Sequence, residues 1–63
     1  MRSHHAQLAL WSYQYLRGKA HALLEARFPC KAKRYNWLSH NAPALHISQM
    51  TKEQIVALIK KLS

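Results

Sequence analysis

Residues 50–62 read MTKEQIVALIKKL, and this stretch decides the fold because it carries both a helix start and a helical apolar pattern. Thr51 with Gln54 three residues later predicts a capping box, in which each side chain accepts a hydrogen bond from the other residue's backbone amide. The pattern predicts a helix that begins within about two residues of Lys52. Its apolar face, which we expect to pack on the rest of the chain, comprises Ile55, Leu58, Ile59 and Leu62.

A second, longer helix is predicted upstream, from Ser3 to about Phe28. This stretch contains no proline, and Ser3 is a suitable N-cap residue. Gly18 is the position at which we expect any break. Pro29 should end the helix, because it lacks an amide donor and disfavours helical geometry at the residue before it.

The long helix is predicted to be apolar on two sides when successive residues are placed about 100° apart. The first stripe comprises Leu8, Trp11, Tyr15, Ala22, Leu23 and Ala26. The second stripe, which we predict to be the interaction surface, comprises Leu10, Tyr13, Leu24 and Phe28. A helix that is apolar on two sides needs cover on both. We therefore expect a homodimer that uses one of the stripes.

A short middle helix is predicted over residues 32–39, ended by Asn41-Ala42-Pro43. Leu45 and Ile47 alternate with polar residues, but no other strand pattern is present, so a loop is expected there. The predicted fold is all-α: a long N-terminal helix, a short middle helix and a capped C-terminal helix. These elements should pack as a helical hairpin or a three-helix domain that occupies residues 1–63 as one unit.

Charge gives the strongest indication of function. The 63 residues contain ten Lys and Arg against two acidic side chains, a net charge of +8 at pH 7. Such a chain repels itself unless a polyanion is nearby, so an acidic partner is expected. No apolar run approaches the roughly 18 residues that span a bilayer, and no signal-peptide core follows the first residues. We expect a cytoplasmic protein with no membrane association.

The cations concentrate in one place, beside aromatic side chains. Phosphates favour Lys and Arg, and unstacked bases favour flat rings. The predicted nucleic-acid-binding residues are Arg27, Lys31, Lys33, Arg34 and Tyr35. Two other interpretations stay open: a solvated turn beside ordinary core aromatics, or contact with an acidic protein through the apolar helix surface. For Trp37 the core position is favoured, since a small domain rarely leaves its tryptophan outside.

Metal and catalytic chemistry are not indicated. Five histidines and Cys30 lack the spacings of a structural zinc site. The two carboxylates, Glu25 and Glu53, fall where one helix faces solvent and another begins, not as an acid–base pair. A lone cysteine also favours a reducing compartment. We therefore predict no metal, no cofactor and no enzymatic activity.

A helix-turn-helix unit is a further alternative. Such units join their helices by about three or four residues. The connection from Asn41 to Met50 is longer, and the last helix has no row of base-reading side chains at its start beyond Gln54. Sequence-specific reading of a duplex is therefore less expected than non-specific contact with phosphates.

Two aromatic and basic runs carry a resemblance: WSYQYLRGK at residues 11–19 and FPCKAKRY at residues 28–35. With its size and charge, the chain resembles the small early-region proteins of lambdoid phages. The resemblance implies a non-enzymatic accessory factor that biases phage development, the choice between lysis and lysogeny, or host physiology. That family shares no functional residue set, so no site residue is implied by it.

Overall fold

Three α-helices and a 3₁₀ turn make up the computed structural model, which describes residues 11–63. Helix α1 spans Tyr13–Arg27, α2 spans Lys31–Asn41 and α3 spans Lys52–Leu62, with the 3₁₀ turn at Ile47–Gln49 between α2 and α3. Residues 11–63 contain no β-strand. The predicted all-α fold is confirmed, and of its two forms the structure has the three-helix one.

Helix α1 begins later than predicted. Its N-cap is Ser12, whose backbone is extended and whose hydroxyl accepts a hydrogen bond from the Tyr15 amide at 3.2 Å. Because the extended backbone at Ser12 interrupts any helix that passes through it, the prediction of one continuous helix from Ser3 is wrong. Ser3 itself, with Leu8 and Leu10, lies outside the described residues. No break occurs at Gly18, and α1 ends at Arg27 before Pro29, as the proline predicts.

The buried line of α1 runs between the two predicted stripes. Leu16, Ala20 and Leu24 are its buried residues. Leu16 and Ala20 belong to neither predicted stripe, whereas Leu24 belongs to the second. Among the described residues of the first stripe, Tyr15, Ala22 and Ala26 are exposed, Tyr15 with 54% of its accessible surface, whereas Trp11 and Leu23 are half-buried against the core.

Helices α1 and α3 lie side by side and run in the same direction. At their starts, the Tyr13 hydroxyl donates to the carbonyl oxygen of Met50 at 3.1 Å. At their ends, Arg27 donates to the carbonyl oxygen of Leu62 at 2.6 Å. An antiparallel hairpin of the first and last helices is therefore not what forms.

Helix α3 agrees with its prediction at every predicted position. It begins at Lys52, and Thr51 and Gln54 form the capping box with hydrogen bonds of 3.2 and 2.9 Å. The expected apolar face is buried throughout, at Ile55, Leu58, Ile59 and Leu62. This face packs on α1, so the capped helix is the main partner of the long one.

Helix α2 lies at the carboxyl ends of the parallel pair. The ring of Phe28, just after α1, is 5.4 Å from the ring of Trp37, and Lys61 near the end of α3 donates to the carbonyl oxygen of Asn41. Because α3 runs parallel to α1, the chain after α2 must return along the length of a helix, which takes residues 42–51. Ile47 and Met50 in this return are buried. A tight helix-turn-helix is thereby ruled out.

The core gathers apolar residues from every element. Its buried members are Leu16, Ala20, Leu24, Leu38, Ile47, Met50, Ile55, Leu58, Ile59 and Leu62. Trp37 packs half-buried against this core, as expected. None of the helices in residues 11–63 has the length and hydropathy to cross a membrane.

Candidate nucleic-acid interface

Arg27, the first of the predicted phosphate-binding cations, is the last residue of α1. Its exposed side chain reaches across to α3 and donates one guanidinium nitrogen to the Leu62 carbonyl oxygen at 2.6 Å. That carbonyl is among the last four of the helix, which have no partner within the helix. Arg27 therefore serves the end of α3 with at least part of its hydrogen-bonding capacity.

Arg34 is also engaged within the fold. Its Nε donates to the carbonyl oxygen of Phe28 at 3.1 Å, and a terminal nitrogen lies 3.5 Å from the carbonyl oxygen of Pro29. These carbonyls follow the end of α1. The half-buried Arg34 side chain thus fixes the turn between α1 and α2. Arg34, one of the predicted nucleic-acid-binding residues, therefore has a structural role as well.

Lys61, which was not among those residues, completes a pattern with Arg27 and Arg34. Its ammonium group donates to the Asn41 carbonyl oxygen, at the end of α2, at 2.7 Å. A cation from α1 serves the end of α3, one from α2 serves the end of α1, and one from α3 serves the end of α2. Positive charge at a helix carboxyl end is favourable, so part of the basic composition stabilises the fold.

Lys31 and Lys33 are exposed, and neither forms a hydrogen bond or ion pair with a described residue. They lie in the first turn of α2 but about 160° apart around its axis, because successive helical residues are about 100° apart. Lys31 is on the flank of Arg34 and Tyr35, and Lys33 is on the flank of Trp37. The predicted cluster is thus divided between two sides of one helix.

Tyr35 is half-buried and does not project freely into solvent. Its ring meets the ring of His46 edge-on, with the centroids 5.8 Å apart. This contact joins α2 to the segment before the 3₁₀ turn. Tyr35 thus presents only part of its surface to a ligand, on the side that lines the groove described below.

The predicted interaction surface is largely used within the chain. Leu24 is a core residue with 2% of its surface exposed, Tyr13 bonds Met50 through its hydroxyl, and Phe28 packs on Trp37. The prediction is wrong for Leu24, because α3 and the return segment cover that side of α1. Leu10 lies outside the described residues.

A basic groove was missed at the level of sequence. It has a volume of about 140 Å³ and lies between α1, α2 and the segment around the 3₁₀ turn. Its polar lining residues are Arg17, His21, Arg34, Tyr35, His46 and Ser48, and its apolar lining residues are Leu24, Leu38, Leu45 and Ile47. We call this feature the basic groove. The spacing of four residues between Arg17 and His21 places both on one side of a helix, and this could be predicted from the sequence. Nothing in the sequence near His46 indicated that it would lie close to α1 and α2.

Arg17 enters the basic groove with unused donors. Its Nε is buried and has no hydrogen-bond partner among the described residues, and its guanidinium lies over the Tyr13 ring at 5.7 Å. A buried donor without an acceptor is uncommon in folded proteins, where such groups usually find a protein or solvent partner. The terminal nitrogens of its guanidinium likewise form no hydrogen bond with a described residue, so Arg17 offers the groove donors that the described fold does not use.

Cys30 lies at the N-cap of α2, exposed, beside the basic residues. The backbone amides of Lys33 and Ala32 lower the pKa of its thiol by favouring the thiolate, and Arg34 adds a smaller contribution in the same direction. The thiol makes no capping hydrogen bond. The lowered pKa therefore comes from the position of the sulfur at the start of α2, where backbone amides point toward it. Across residues 11–63, no three His, Cys, Asp or Glu residues are grouped closely enough to hold a metal ion.

Comparison with known proteins finds no match for this chain. The chain matches no protein-family model, no curated protein sequence and no solved structure. The function proposed below is therefore drawn from the chain's own residues.

Proposed function

We propose that this protein is a small, non-enzymatic regulatory factor that contacts nucleic acid through the exposed cations at the start of α2. Lys31 and Lys33 are the residues that make this contact, and Arg34 and Tyr35 lie on the flank of Lys31. The partner is bound mainly through its phosphates. The resemblance to early proteins of lambdoid phages fits such a factor, which would act in the cytoplasm of the host cell.

One observation carries the proposal: Lys31 and Lys33 are solvent-exposed and have no acidic partner within the described part of the chain. Both lie in the first turn of α2, just after the chain turns from α1. With a net charge of +8, the chain as a whole attracts polyanions over a distance of about one Debye length. Phosphate contacts of this kind carry little sequence information.

The test is the salt dependence of binding to a fluorescein-labelled duplex, measured by anisotropy. Each phosphate contact on duplex DNA contributes about −0.9 to the slope of log affinity against log salt. The variant Lys31→Ala/Lys33→Ala should flatten that slope by about 1.8 and weaken binding to all sequences alike. Arg34 is kept, because its side chain bonds the carbonyls after α1.

A matched control removes two cations from another surface. The variant Lys52→Ala/Lys60→Ala changes the net charge by the same amount on α3, and its slope should stay close to that of the parent. Equal flattening by both variants would assign the effect to net charge and refute a site at α2. Absence of binding to duplex and single-stranded DNA or RNA at low salt would refute nucleic-acid binding altogether.

An acidic protein is the second candidate partner, favoured by one feature of α1. Part of the first stripe stays exposed: Tyr15 retains 54% of its surface and Ala22 and Ala26, further along α1, are exposed, whereas Trp11 and Leu23 are half-buried against the core. An apolar contact there would leave charge to steer only the encounter. Its affinity would change little with salt, whereas phosphate binding weakens steeply, so one salt titration separates the two candidates.

A further inference from the structure

The basic groove brings four cationic or imidazole side chains from three segments to one concavity. Arg17 and His21 come from α1, Arg34 from α2 and His46 from the segment before the 3₁₀ turn. No carboxylate lines the groove. Glu25, the acidic residue nearest along α1, lies one turn beyond His21 and forms no ion pair with a described residue. The groove therefore favours an anion.

The size and the walls of the groove restrict that anion. A volume of about 140 Å³ equals the share of about five water molecules, which suits one phosphate group and is below the usual range of drug-sized ligands. Guanidinium groups bind phosphate through paired hydrogen bonds. Leu45, 44% exposed, and the accessible side of Tyr35 add apolar and aromatic surface at the same groove. Such surface suits the ring of a nucleoside attached to the phosphate.

We propose that the basic groove is a nucleotide-phosphate site, in which Arg17 and Arg34 hold a phosphate group and Tyr35 and Leu45 contact the attached nucleoside. Arg17 provides terminal guanidinium donors, which form no hydrogen bond with a described residue. The site adds to the proposed nucleic-acid function. It rests on that function only for the source of the ligand, because a phosphorylated strand end and a free nucleotide present the same phosphate and nucleoside.

The primary test is a titration of the ¹⁵N-labelled full chain, followed by nuclear magnetic resonance. The probes are thymidine 5′-monophosphate, inorganic phosphate and thymidine. The monophosphate should shift the Arg17 Nε–H signal and the backbone amides around residues 17–21 and 45–48. Inorganic phosphate should shift the same signals with weaker affinity, and thymidine should leave them in place. Shifts confined to Lys31, Lys33 and the carboxyl ends of the helices would overturn the proposal.

Variants separate the groove from the exposed lysines. Arg17→Met should weaken binding of the monophosphate at least tenfold, because a charge-assisted pair of hydrogen bonds is lost, and Arg17→Lys should restore part of it. Lys33→Met removes the same charge on the opposite flank of α2 and should change the affinity less than about twofold. Equal losses for Arg17→Met and Lys33→Met would overturn the proposal. The titration of the parent chain decides it if Arg17→Met does not fold.

The source of the phosphate is distinguished with single-stranded decathymidylate, with and without a 5′-phosphate. A strand end as ligand predicts tighter binding of the phosphorylated strand and loss of that difference in Arg17→Met. Equal binding of the two strands, with the monophosphate still shifting the groove signals, supports a free nucleotide as ligand. Duplex binding through Lys31 and Lys33 with no response of the groove to any of these probes would retain the proposed function and reject this site.

Discussion

The guanidinium of Arg27 donates a hydrogen bond of 2.6 Å to the carbonyl oxygen of Leu62, and this contact ties the end of α1 to the end of α3. Together with the bond from Tyr13 to Met50 at the other end, it fixes the two helices in parallel. A residue chosen at the level of sequence for phosphate binding therefore has a structural role.

Replacement of Arg27 tests that role. Arg27→Met removes a charged donor from the end of α3 and should lower the free energy of unfolding by about 0.5–1.5 kcal/mol. Lys33→Met is the matched control, since Lys33 is exposed and has no partner among the described residues, and it should change stability by less than about 0.5 kcal/mol. Urea denaturation followed by circular dichroism measures both. Equal stability of the two variants would refute the capping role.

The buried face of α3 predicts a larger effect. Leu58→Ala leaves a cavity in the core and should cost about 2–5 kcal/mol, enough to unfold much of a domain with marginal stability. Ile59→Ala should behave in the same way, because both residues are buried. Lys60→Ala, on the exposed side of α3, serves as the control. Thermal melting of either core variant at the parent temperature would show that the face is misassigned.

Gly18 offers a stabilising substitution. It lies inside α1, its φ is not positive, and a Cβ built on it meets no atom within 4 Å. Alanine is better than glycine in a helix by about 1 kcal/mol, since glycine loses more backbone freedom on folding. Gly18→Ala should raise the free energy of unfolding by about 0.5–1 kcal/mol. A decrease, measured by urea denaturation, would mean that this side of α1 is covered.

The Cys30 thiol has a pKa that is lower in the folded than in the unfolded chain, owing mainly to the amides of Lys33 and Ala32. Its thiolate therefore stabilises the fold above the unfolded pKa, and this contribution is lost as pH falls through the folded pKa. Below both values, the folded chain has the larger thiolate fraction. Iodoacetamide should then alkylate Cys30 faster in the native chain than in urea. Equal or slower native alkylation would contradict the prediction.

Self-association stays a prediction from the two-sided apolar pattern of the long helix. Among the described residues, the first stripe keeps exposed apolar surface, with Tyr15 54% exposed. Sedimentation equilibrium should give a mass that rises with concentration toward that of a dimer, and Tyr15→Glu should keep the chain monomeric. A monomeric mass for the parent at high concentration would exclude a dimer through this stripe.

Sequence reasoning succeeded where the relevant signal is local. The capping box at Thr51 and Gln54 and the helix end before Pro29 depend on residues within one turn, and both are found. It failed at Ser12, which was predicted to lie inside the long helix and is the N-cap of α1. It also failed along α1, where Leu16 and Ala20, which belong to neither predicted stripe, are buried in the core.

The candidate site was harder to predict than the fold, because its residues come together through tertiary packing. Lys31 and Lys33 are near one another in sequence, yet the helix turns them to opposite flanks. His46 meets Tyr35 only because the chain after α2 returns toward the start of α1. The engagement of Arg27 and Arg34 by distant or neighbouring carbonyls likewise follows from where the helices end.

The exchange of cations among the three helix ends makes the helices dependent on one another. Arg27, Arg34 and Lys61 each close the end of a helix other than their own. If one helix detached, its cation would no longer bond the terminal carbonyls of a second helix. The carbonyls at the end of the detached helix would lose their own donor as well. Fraying from the carboxyl ends is therefore suppressed jointly, and amide hydrogens in the last turns of all three helices should exchange with solvent through one shared opening.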